Sequence, residues 1–133
     1  MMITQNEKFK TQNNDSKFKT DLKARCFQLS LTVIALSDTL PNKRSAWVII
    51  DQLIRSICSI GANLIEARGA SSRLEFKRFN EISLKSAYES KYWLELLRES
   101  KLAPSYKIDP ILNELEEITK MIARGILNLK GGY

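Results

Sequence analysis

The chain has 133 residues, 44% of them hydrophobic and 27% charged, with 21 Lys and Arg against 15 Asp and Glu and a net charge of +6. That length suits one domain with a hydrophobic core of its own. There is no His, which removes the commonest general base and the commonest transition-metal ligand together. Most hydrolase and metalloenzyme schemes lose their central part, and neither a catalytic residue, a metal nor a cofactor is expected.

Only five Gly and three Pro favour helices over a turn-rich β fold. Cys26 and Cys58 form no CxxC pair and no disulfide framework, and both read as packed thiols among apolar neighbours. No apolar run reaches about 18 residues, and the N-terminus has no hydrophobic signal core. The expectation is a cytoplasmic protein without a membrane partner. The positive excess is spread over residues 1–20, 21–44 and 71–103, two charges each. No dense patch results, so a nucleic-acid partner is permitted rather than required.

Residues 1–19 are polar and aperiodic and read as a flexible basic arm. Residues 20–130 read as four helices at about 20–40, 43–68, 72–101 and 109–130. In the first, Leu22, Cys26, Leu29, Val33, Leu36 and Leu40 form one narrow seam, stopped by Leu40-Pro41-Asn42. In the second, Trp47, Ile50, Ile54, Ile57, Gly61 and Leu64 form a seam with Ile49, Leu53 and Ile60 beside it, and Gly69 reads as the residue after the helix end. Ser72-Arg73-Leu74-Glu75 is a capping box opening the third. Its apolar arc holds Phe76, Phe79, Ile82, Trp93 and Leu97. Asp109 and Pro110 read as the start of the fourth, striped by Ile111, Leu115, Ile118, Ile122 and Leu129. Short loops between four amphipathic helices imply an all-α, antiparallel, up-down-up-down four-helix bundle.

Two features exceed what one bundle needs. The first helix carries a second apolar line, Phe27, Leu31 and Ile34, far around the wheel from its seam, which points to an oligomer interface. The second helix, in the stretch RSICSIGANLIEARG, carries small polar residues where a solvated face would carry Lys and Glu. With Ser83, Ser86, Ser90 and Glu89 in the arc of the third helix, this suggests a buried polar layer of Arg55, Ser59, Asn63, Ser86 and Glu89, in which Glu89 pairs with Arg55. Glu66, Glu75 and Glu89 make a poor di-iron site, since that chemistry wants Glu-x-x-His motifs.

On the outward side of the third helix, Lys77, Arg78, Lys85 and Lys91 with Tyr88 and Tyr92 make a phosphate-contacting surface, a weak charge that a ring of copies would multiply. The plainer reading of the same residues is a solvated face laced with ion pairs such as Glu81 to Lys85.

The run QLIRSICSIGANLIEARGASSRLEFKRFNEISLKSAYESKYWLELL resembles the signature of a bacterial four-helix-bundle family, some of whose members are encoded in intervening sequences within 23S ribosomal RNA genes. The resemblance rests on Q-L-x-R at Gln52 to Arg55, S-I-x-A-N-L-x-E at Ser59 to Glu66, E-F-x-x-F at Glu75 to Phe79 and S-x-x-E at Ser86 to Glu89, and spans about residues 22–130. Ala67 stands where the family tends to have Gly, and Lys85 where Gly often precedes the Ser. The resemblance implies an antiparallel bundle that assembles as a ring, typically a homopentamer, without catalytic activity. A related branch, the accessory proteins of diversity-generating retroelements, forms basic rings that engage a reverse transcriptase and nucleic acid. The functional expectation is therefore a non-enzymatic ring that binds RNA, DNA or a nucleic-acid enzyme, with an adaptor for another protein as the alternative.

Overall fold

A computed structural model of the chain describes residues 14–131, which form four helices: α1 (Asn14–Ser37), α2 (Arg44–Arg68), α3 (Arg73–Glu99) and α4 (Ser105–Gly131). No strand occurs among the described residues. Each helix packs against two neighbours, α1 on α2 and α4, and α3 on α2 and α4, with the α2–α3 contact the most extensive. Leu22 and Lys23 of α1, the beginning of α3 and the ends of α2 and α4 line one cavity, and the helix contacts are those of a bundle. The expected arm over residues 1–19 lies outside the described residues up to residue 13, and from Asn14 onward the chain is helical.

The seam of α1 is the one its spacing predicts: Cys26, Leu29, Val33 and Leu36 are buried, with Leu22 and Leu40 packed against the core from its edges. In α2 the core line is rotated from the expected seam. Leu53, Ile57 and Ile60 are fully buried, Ile54 is half-buried, and Trp47 is 56% exposed. The reason is that α2 packs more extensively on α3 than on α1, which turns Leu53 and Ile60 inward and Trp47 out. By length and composition α2 is also apolar enough to cross a membrane, contrary to the expectation that no stretch qualifies. In this fold its Ile50, Leu53, Ile57, Ile60 and Leu64 belong to the bundle core.

The helix ends follow local chemistry, with three departures. Ser72 caps α3 as expected, its Oγ accepting from the Glu75 N–H at 3.1 Å. The Glu75 carboxylate, however, accepts from the backbone N–H and hydroxyl of Ser71, one residue earlier than a capping box requires. Gly69 ends α2 with φ −88°, so no left-handed turn occurs there. The left-handed residue is Lys101, with φ 63°, after α3. Its N–H bonds to Arg98 O and the Leu102 N–H to Leu97 O, the Schellman pattern that satisfies the last carbonyls of a helix. Finally, α4 starts at Ser105 rather than Asp109, with Pro110 inside it. An interior Pro costs about 3 kcal/mol, but the extra turn buries Ile108 completely and extends the stripe Ile108, Ile111, Leu115, Ile118, Ile122 and Ile126. Burial of one such side chain contributes about 1.5–3 kcal/mol, of the size needed to offset the proline.

Candidate functional site

Three surfaces follow from this packing. The first is internal, where α2 meets α3 through hydroxyls. Ser90 Oγ donates to Ser56 Oγ at 2.8 Å, Ser59 Oγ and Ser86 Oγ lie 2.8 Å apart, and Ser83 Oγ donates to the Ile60 carbonyl at 2.8 Å. Asn63 Nδ2 reaches both Ser59 O and Ser59 Oγ. Ser56, Ser83 and Ser90 are buried. Small side chains let the two backbones approach, and each buried hydroxyl finds a partner, so no desolvation cost is left standing.

Ser59, Asn63 and Ser86 thus share one hydrogen-bonded layer, but Arg55 and Glu89 do not join it. Arg55 is exposed, and Glu89 is exposed and accepts from the Trp93 indole N–H at 2.9 Å. The geometry explains the correction. The core line of α3 runs through Ser83, Ala87, Ser90, Leu94 and Leu97, and Glu89, one residue before Ser90, is turned about 100° away from it. The same rotation leaves Ile82 45% exposed.

The second surface lies outside α1 and α2. Phe27, Leu31 and Ile34 are 68%, 44% and 44% exposed. They form one wall of an open groove whose other wall is Cys58, Ala62 and Ile65 of α2. Both thiols pack among apolar neighbours as expected, Cys26 buried and Cys58 half-buried against the core from the groove side. Burial, with the Glu114 carboxylate nearby, pushes the Cys26 thiol up to about 12 against the smaller opposing pull of Arg25, which leaves it inert at neutral pH. The α2 wall was missed at the sequence level, although Cys58 and Ile65 are spaced seven apart, the signal of one helix face. At Gly61 the two helices come close: a Cβ there would sit 3.3 Å from Cys26 Cβ.

The third surface is the outer face of α3. Arg78, Lys85 and Lys91 are exposed and Lys77 is half-buried. At 100° per residue, Arg78 and Lys85 fall toward the α2 side and Lys77 and Lys91 toward the α4 side. Tyr88 and Tyr92, both exposed, stand between them, with Tyr92 edge-on to Trp93 at 4.9 Å. Glu81 and Glu95 share this half of the helix. Even so, among the described residues none of the four cations is in an ion pair, and the Glu81 to Lys85 pair expected of a solvated helix is not formed. Arg98, by contrast, is held by Glu99 and Asp109, and Arg25 of α1 makes a two-pronged bond to Glu114 of α4 at 2.9 and 2.7 Å. That guanidinium holds the Glu114 carboxyl below its usual range, the hydrogen bonds outweighing partial burial. Among the described residues, no three carboxylates or thiols cluster as a metal site would need.

The model of the 23S rRNA-intervening sequence protein family matches residues 19–124, through all four helices. The chain belongs to that family. A crystal structure of a protein of unknown function from the S23 ribosomal protein family of Bacteroides thetaiotaomicron is similar to it. The two share 34% sequence identity over 79% of this chain and 97% of that one, with a TM-score of 0.74. The comparison with curated proteins found no match.

Within the 23S rRNA-intervening sequence family frame, both departures from the signature have a structural account. Ala67 is buried at the end of α2, where a methyl group is accommodated. Lys85 points outward from α3, whose close approach to α2 is made by Ser83, Ser86 and Ser90, so no glycine is required at that position.

Proposed function

We propose that this chain is a non-enzymatic, cytoplasmic family member that self-assembles through the α1–α2 groove into a ring. By the family resemblance the ring has five members, and it binds RNA or a ribonucleoprotein through the outer face of α3. The observation that carries the RNA reading is the set Lys77, Arg78, Lys85 and Lys91, without carboxylate partners among the described residues and flanking two exposed tyrosines. Unpaired cations release counterions on meeting phosphate, and tyrosine faces offer stacking surfaces to unpaired bases. Copying the face around a ring multiplies a modest contact through effective concentration.

The test is the salt dependence of binding to single-stranded RNA by the intact assembly. Binding should weaken steeply between low and physiological salt. Replacing the four cations with Gln removes up to four phosphate contacts per subunit, so the slope of log K against log salt should flatten by about 3 for each subunit engaged. If the chain retains no RNA at low salt, the RNA reading fails. The exposed groove would then favour the second reading, an adaptor whose client is a protein.

A further inference from the structure

Leu22 and Lys23 of α1, the first turns of α3 and the last turns of α2 and α4 do not close on one another. A chamber of about 420 Å³ opens there, within the size range of small-molecule sites. Its origin lies in the seam residues. Continuing the core line of α3 backward from Ser83 at spacings of three and four reaches Asn80 and Phe76, which are only half-buried. Ala67 on α2 is a small residue in the core line, and on α4 the exposed Gly125, next to the buried Ile126, lines the rim of the chamber. A Cβ at Gly125 would meet nothing within 4 Å. Leu22, Leu64, Phe76, Met121, Ile122 and Leu129 supply apolar walls.

Among residues 22–129, the charges that line this chamber are of one sign: Lys23 and Arg68 do, and no Asp or Glu does. Neither cation is in an ion pair. The Asn80 amide N–H is used by the Phe76 carbonyl at 2.8 Å, so that side chain offers the chamber its oxygen alone. An apolar volume whose lining over residues 22–129 holds two cations and no carboxylate is complementary to a molecule with an apolar body and a single negative head.

We infer that this chamber binds an amphipathic monocarboxylate, its apolar chain among Leu22, Phe76, Met121 and Leu129 and its carboxylate at Lys23 and Arg68. Lys23 and Arg68 also line the α1–α2 groove, so the carboxylate sits where the two spaces meet while the apolar walls belong to the chamber alone; the site lies apart from the basic face of α3 and does not rest on the RNA reading.

The probe is decanoate, titrated calorimetrically into the full-length chain below its micellar concentration, with decanol as the uncharged control. Decanoate should bind more tightly than decanol. Lys23→Gln combined with Arg68→Gln should weaken decanoate about tenfold while leaving decanol unchanged, the loss of one charge-assisted contact. Gly125→Leu fills the open space and favours the helix. It should abolish decanoate binding without lowering the melting temperature. Ile65→Ser, in the α1–α2 groove but outside the chamber lining, should leave decanoate affinity unchanged. Equal affinity for decanol and decanoate would overturn the inference, as would binding that survives Gly125→Leu but is lost in Ile65→Ser. No binding to the full chain also overturns it.

Discussion

Lys101 and Gly69 show how single residues at helix ends are governed by backbone angle rather than by residue type. Lys101 adopts φ 63°, where a Cβ crowds the following carbonyl at a cost of about 1–2 kcal/mol. The position is maintained because the Schellman bonds satisfy the Leu97 and Arg98 carbonyls and bring Leu102 against the core. Lys101→Gly should therefore raise the stability measured by urea unfolding by about 1 kcal/mol; a loss would mean that the lysine side chain supports the turn in some other way. Gly69→Ala is the counterpart. Gly69 has a negative φ, and an added Cβ would lie at an ordinary 3.7 Å from Glu66 O, so that substitution should be close to neutral.

At the scale of the elements, the helices are tied by two kinds of contact. Hydroxyl pairs hold α2 to α3 at close range, and the Arg25–Glu114 bond ties α1 to α4. The second gives the fold a predictable response to acid. Because the folded Glu114 carboxyl is held below its ordinary value, its contribution is complete above the unfolded carboxylate pKa, about 4.3. It is lost as pH falls through the folded value. Arg25→Met keeps the apolar stem but removes the charge. It should cost about 0.5–1 kcal/mol near neutral pH, a range discounted for side chains about one-third exposed, and the gap from the parent protein should close as the pH falls below the ordinary carboxylate range. A gap that persisted in acid would show that packing of Arg25 on Met121, rather than the ion pair, is responsible.

For the whole molecule, the decisive feature is that α1 is apolar on two sides. One side enters the core; the other, Phe27, Leu31 and Ile34, faces outward across a groove walled by Cys58 and Ile65. Assembly would cover both walls. Replacing Phe27, Leu31 and Ile34 with Ser should weaken association by about 3 kcal/mol or more, about a hundredfold in the constant. Sedimentation should then report monomers with unchanged helix content. A parent chain that stays monomeric at every concentration would remove both the ring and the multivalent RNA surface.

The amino-acid sequence alone was enough for the four helices of the described residues, the core line of α1, the Ser72 cap and the second apolar face of α1. Each of these is set within one helix, by spacing or by a side chain reaching its own backbone. Its limits appear where two helices meet. The rotation of α2 that exposes Trp47 and buries Leu53, the exposure of Glu89 and Arg55 beside a layer that does hold Ser59, Asn63 and Ser86, and the start of α4 five residues before Pro110 all depend on what lies opposite. A helical wheel gives angles about an axis but no origin, and only packing against a neighbour supplies one. The chamber belongs to the same class, since Ala67, Asn80 and Gly125 are far apart along the chain and line one space only when the helices are brought together.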